Sequence, residues 1–224
     1  MQAERHGTQL KAWRLYQPQL VLRCVCQPCN NGWMSRLEAQ AKPYLQPLLM
    51  GQPRSLNIVA QATIALWSLK TAMVLEALDD EHKRIYTPKQ CEQLRSLSFI
   101  PWRSSVWLAK SAAGTFFMSV KNRHLGDCGP ESPSGASTTM AFASLAIQVL
   151  TIRLPEDVSQ STRITANVRV GPWTQNCVQI WPIQTPDTQW PPPSCLDGET
   201  ALNALSERFS TSSIEPIAMF EMQI

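Results

Sequence analysis

The spacing of apolar and polar positions divides the chain into two parts of different period. From Trp33 to Leu97 the apolar residues recur at helical intervals, and beyond Pro101 they alternate or bunch as strands do. Met34, Leu37, Ala41, Leu45 and Leu48 share one face of a first helix, with Asn30 or Asn31 as its cap. Pro43 and Pro47 lie inside it, and an interior proline removes a donor and crowds the preceding turn, so a kink or break is expected at Lys42. After the Gly51-Gln52-Pro53 loop, Ser55 or Asn57 caps the strongest helix, running from Ile58 to about Leu78. Its apolar arc is wide, with Ala62, Leu66, Leu69 and Met73 flanked by Val59, Trp67, Val74 and Ala77, which predicts a central core helix. Lys70 interrupts that arc and is read as a paired or snorkelling side chain. The run from Asp79 to Lys83 closes the helix as a solvated face. Thr87-Pro88-Lys89-Gln90 has the pattern of a capping box and opens a third helix, with Cys91, Leu94 and Leu97 on its apolar face.

The second half reads as antiparallel strands. Val106–Ala109 and Thr115–Val120 are expected to form a hairpin around Ser111–Gly114, followed by a loop carrying Arg123, His124 and Asp127. Cys128–Thr138 reads as a flexible loop, and Phe142–Leu154 as one long strand or two joined at a bulge. Arg163–Val170 and Cys177–Trp181 supply further strands, and Trp190-Pro191-Pro192-Pro193 a stiff linker or surface wrap. Asp197 caps a closing helix with Ala201, Leu202, Leu205 and Phe209 inward, and Ile217–Phe220 is an edge-strand candidate. The fold class is therefore α+β. A helical region, residues 1–98, adjoins an antiparallel β-rich region with a C-terminal helix, residues 99–224, the two packed as one unit. Residues Met1 to Gln19 are weakly patterned and expected to be partly disordered, and Leu20, Val21, Leu22 and Val25 suggest a short strand beyond them.

Composition narrows the picture modestly. A chain of 224 residues, 44% apolar with a net charge of +3, fits a soluble globular protein, and that charge alone does not predict a nucleic-acid partner. Lys and Arg are denser before Arg123, so any basic surface belongs to the first half. The N-terminus is polar, with no signal peptide, and no stretch reads as a membrane span, which points to a cytoplasmic protein with reduced thiols. Dinucleotide, zinc-protease and serine-hydrolase signatures are absent from the sequence.

Three of the seven cysteines crowd at one place, Cys24-Val25-Cys26-Gln27-Pro28-Cys29, and the rest are scattered. Cys26 and Cys29 have the spacing of a zinc knuckle, in which two thiolates on a tight turn reach one tetrahedral metal. The stretch Cys26-Gln27-Pro28-Cys29-Asn30-Asn31-Gly32-Trp33-Met34-Ser35-Arg36-Leu37-Glu38 resembles the C-terminal end of the zinc-stapled HNH endonuclease motif, in an uncharacterised bacterial and phage branch. Trp67–Met73, Ile100-Pro101-Trp102 and Val178–Pro182 also look like that branch. The resemblance implies a treble-clef remnant in which Cys26 and Cys29 form the second zinc pair, with Cys24 as a further ligand candidate. It also implies Asn30 as the catalytic-position residue, using magnesium or manganese if the protein is a nuclease. Arg23, Arg36 and Lys42 are the candidate nucleic-acid contacts, because they flank the knuckle and helix N-termini favour phosphate.

The sequence lacks the other half of the motif: no Cys-x-x-Cys precedes Cys24, and no apolar strand surrounds His6. A general base must stand about 3 Å from the water it deprotonates, and His6 has no evident support there. The leading expectation is a shortened or degenerate HNH-like protein with a structural or interaction role, binding nucleic acid without cleaving it. The alternative is an active metal-dependent endonuclease whose missing ligands come from Cys24, Cys91, His124, Cys128, a protein partner or a second copy.

Overall fold

The computed structural model describes residues 11–14, 24–79, 84–97, 103–112, 118–125, 134–153, 165–166, 175–209 and 216–217. Helices and antiparallel strands are both present, so the α+β class holds. A short turn, α1 (Gln27–Cys29), passes through the π-helical Asn30–Met34 into α2 (Ser35–Leu49). Strand β2 (Arg54–Asn57) leads into α3 (Ile58–Leu75), which tightens to a 3-10 turn at Glu76–Leu78. Helix α4 (Pro88–Leu97) follows.

Strands β1 (Lys11–Arg14), β4 (Met118–Leu125), β5 (Ser134–Phe142), β6 (Leu145–Arg153), β3 (Ser104–Lys110) and β8 (Cys177–Trp181) stand in that spatial order in a six-stranded antiparallel sheet. Short pairs β2 with β9 (Asp187–Trp190), and β7 (Thr165–Ala166) with β10 (Pro216–Ile217), lie outside it. Helix α5 (Gly198–Glu207) follows β9 in the chain.

Successive strand residues face opposite sides, and both sides of this sheet are covered. Val106, Leu108, Val120, Met140, Ile147 and Val149 pack in one core with Ile64 and Leu69 of α3. Trp107, Ala109, Ala146 and Leu150 pack in a second core with Leu202, Leu205 and Phe209. Gln148 lies beneath α5, and its amide nitrogen is 2.8 Å from the Leu205 carbonyl and 3.1 and 3.2 Å from the hydroxyls of Ser137 and Thr139. Polar side chains are thereby joined inside an otherwise apolar layer, with the Gln148 Oε1 left without a partner.

The helices begin where their side chains can serve the free amides. The Asn57 carboxamide accepts the Ala60 amide at 2.9 Å, and Thr87 and Gln90 exchange two capping bonds at 2.9 and 3.2 Å. Helix α5 starts after Asp197, whose side chain makes no capping bond. Lys70 pairs with Glu38 at 2.8 Å, as its reading as a partnered cation requires.

Several expectations change. The first helix opens from Cys26, whose carbonyl accepts the Asn30 amide, so neither Asn30 nor Asn31 is its cap. Helix α2 runs unbroken through Pro43 and Pro47, and the irregular residue is Gly32. Pro43 is exposed, so the face that loses its donor is open to water. The expected hairpin of Val106–Ala109 with Thr115–Val120 does not form: β3 pairs with β6 and β8, and β4 with β1 and β5.

Arg123 and His124 lie within β4, Ser134–Thr138 belong to β5 rather than to a loop, and β5 and β6 join at Ala143–Ser144. Residues 11–14 form a strand instead of a disordered lead. Trp190 is buried, so the proline run begins anchored in the core. Helix α3 is long and apolar enough to cross a membrane by length and composition, unlike any span expected from the sequence, and half of it is buried in this fold. His6, Leu20–Leu22, Arg23 and Cys128 lie outside the described residues, as do 163–164 and 167–170 of the expected strand and 218–220 of the edge strand.

Candidate metal centre and its cavity

Cys26 stands at the head of α1 with extended backbone, and Cys29 ends that turn, so two residues of intervening chain bring the thiols to one side. The Cys26 thiol is held below its ordinary range, first by a hydrogen bond with the Cys29 side chain, then by the Cys29 backbone amide and by Arg95. Cys26 is exposed and Cys29 partly covered. A lowered, accessible thiol is the form that binds metals and attacks electrophiles.

These thiols open on a cavity of about 590 Å³ between the knuckle, the C-terminal half of α3 and α4. Its apolar lining includes Trp33, Met34, Met73 and Leu94, with Arg84, Arg95, Glu76 and Glu92 among its charged groups. Cys24 lines it too, with its thiol 3.9 Å from the Val74 carbonyl. Cys91 lines it from α4 and is exposed, unlike Leu94, with which it shares the apolar face read from the sequence. Partial desolvation at the cavity wall and the neighbouring Glu76 push the Cys91 thiol up, so its character differs from that of Cys26.

Glu76 is the least ordinary group of the lining. Desolvation pushes its carboxyl up to about 7, although it accepts the Ile85 and Tyr86 amides at 2.6 and 3.2 Å. Tyr86 is raised as well, chiefly by burial, and its hydroxyl lies 3.1 Å from that of Thr151.

No family model, curated protein or solved structure matches this chain.

Among the described residues, no three His, Cys, Asp or Glu side chains gather as a metal site. Cys26 and Cys29 therefore fit one half of a tetrahedral centre: they flank one turn and Cys26 is lowered, and the described residues add no third ligand. Asn30 follows directly, exposed in the π-helical turn. Arg36 and Lys42 are exposed on α2. Sequence reading named Cys91 only as a ligand candidate of the endonuclease alternative and did not anticipate that Arg84 and Arg95 converge with it on the cavity. They come from a separate segment, and only the packing of α4 beside α3 joins them to the knuckle.

Proposed function

We propose that the chain is an HNH-like protein of the cytoplasm that has kept the zinc-staple side of the motif and acts as a structural or interaction protein, binding nucleic acid without cutting it. The observation that carries this reading is the Cys26–Cys29 pair at the head of the α1–α2 run, where Cys29 lowers the exposed Cys26 thiol. Zinc held there would fix the knuckle against α3, its other two ligands coming from residues outside the described set or from a protein partner, including a second copy. Arg36 and Lys42, exposed on α2, and Arg84 and Arg95 at the cavity give a nucleic-acid backbone cations to meet. A role without cleavage is favoured because His124, the one histidine among the described residues, engages Asp79 and does not line the cavity.

The alternative, a divalent-metal-dependent endonuclease, draws on the exposed Asn30 directly after Cys29. Elemental analysis of the purified protein, with DNA-binding and plasmid-cleavage assays in magnesium or manganese, separates the two. One equivalent of zinc fewer in Cys26→Ser/Cys29→Ser than in the parent protein, with salt-sensitive DNA binding and no cleavage, is the expected result. Cleavage abolished by Asn30→Ala would establish the endonuclease instead, and a protein free of zinc would remove the staple.

A further inference from the structure

Behind Glu76, the 3-10 turn that ends α3 delivers Asp79 onto the face of β4 that carries Asn122 and His124. Those two residues are two apart on a strand, so they point the same way. Asp79 is 7% and Asn122 3% exposed. Its Oδ2 accepts from the Asn122 carboxamide at 3.0 Å and lies 3.4 Å from His124 Nε2. The Asn122 Oδ1 is buried without a hydrogen-bond partner, as are both ring nitrogens of His124. A buried polar atom left unpaired costs about 1–3 kcal/mol, so three in one cluster call for an explanation.

We infer that Asp79, Asn122 and His124 form a binding site for a divalent transition-metal ion of the zinc or manganese class. The 3.4 Å separation of Asp79 Oδ2 and His124 Nε2 is long for a charged hydrogen bond, which closes at about 2.7–2.9 Å. It suits two ligands of one ion: with bonds of about 2.1 Å to each atom, 3.4 Å subtends an angle of about 108°, near tetrahedral. The same bond length places atoms 3.0 Å apart at an angle of about 91°, within the range of a mixed N/O site.

Asn122 Nδ2 also faces the Leu75 carbonyl at 3.4 Å, and a half-turn of the carboxamide exchanges both of its contacts for an oxygen presented to the ion. One imidazole and two oxygen donors match the borderline divalent ions rather than calcium or a soft monovalent ion. Glu76 is not counted among the ligands, since the Ile85 and Tyr86 amides hold its carboxylate. The site is separate from the cysteine pair and stands or falls without it.

The test uses full-length Cys26→Ser/Cys29→Ser protein, stripped with chelator and titrated calorimetrically with manganese chloride or zinc sulfate. One equivalent should bind, with affinity at least tenfold weaker in His124→Gln and in Asp79→Asn. A further variant separates a metal site from a plain His–Asp pair. Asn122→Asp sets two carboxylates side by side, so it should lower the melting temperature in chelator and restore or exceed the parent value when manganese is added. No binding to the parent protein, affinity unchanged in His124→Gln, or an Asn122→Asp melting temperature indifferent to manganese would each overturn the assignment.

Discussion

Glu76 couples the cavity to pH. Its carboxyl is raised from 4.5 to about 7, mainly because burial penalises the charge. A raised acid binds more protons folded than unfolded, so stability falls as pH climbs from 4.5 towards 7 and the loss is complete above that. The shift corresponds to about 3 kcal/mol. Glu76→Gln removes the charge while keeping an oxygen for the Ile85 amide, at a cost of about 1 kcal/mol where its NH2 meets the Tyr86 amide. Urea midpoints measured in chelator from pH 5 to pH 8 should fall more steeply in the parent protein than in Glu76→Gln. Parallel profiles would refute the argument. The cysteines follow the same physics. Cys26 is exposed and lowered, and Cys177 is buried and raised, so Cys26 should alkylate ahead of Cys177 at neutral pH. Peptide mass spectrometry after a brief iodoacetamide pulse reads the order.

At the level of elements, α2 and α5 are held by identifiable bonds. The end of α2 is a Schellman turn, in which the Gly51 amide reaches the Leu48 carbonyl and the Gln52 amide reaches that of Pro47, both at 2.9 Å. Gly51 has φ +67°, and a Cβ there would meet the Ser144 hydroxyl oxygen at 3.3 Å. Gly51→Ala should therefore cost about 1 kcal/mol or more by chemical denaturation. Gln148→Leu leaves the Leu205 carbonyl without its side-chain donor and should cost about 1–3 kcal/mol, with Phe209 packing on Trp107 loosened in near-UV dichroism.

Helices α3, α4 and α5 were legible because caps and periodicity are local: Asn57, the Thr87–Gln90 box, and the inward Leu202, Leu205 and Phe209 all lie within a few turns. The antiparallel sheet and its strands at Val106–Ala109 and Cys177–Trp181 were legible, but their pairing was not. Ser134–Thr138 is rich in small polar residues yet buried, because its strand is covered on both faces. Which strands pair is decided by partners far along the chain, so the neighbours β3 and β4 could not reveal that they stand apart. For the site, the Cys26–Cys29 pair is written in its spacing. The Asp79–His124 contact joins a helix end to a strand 45 residues away, and nothing local marks it.

For the whole molecule, the helical and β-rich halves are not separable layers of sequence. Strand β1 pairs with β4, β2 pairs with β9, and α3 shares its core with the sheet. A fragment of residues 99–224 would lose α3 and the partner of β9, exposing the Val106, Leu108, Met140 and Val149 face. It should bind a hydrophobic dye and give poorly dispersed amide spectra, whereas the full chain should unfold in one transition by far- and near-UV dichroism. Two transitions in the full chain, or a native-like spectrum from the fragment, would show the halves to be independent.

The pairing of Arg54–Asn57 with Asp187–Trp190 also has a meaning in time. On the ribosome, β2 emerges 130 residues before β9 begins. At about 5–20 residues per second, that is a wait on the order of ten seconds. Throughout it α3 has left the tunnel without the full sheet that will cover it, and the nascent chain carries its most apolar helix partly unclothed. Over that interval a chaperone that shields apolar segments would find its best target at Ile58–Leu75, and slower translation would lengthen the exposure.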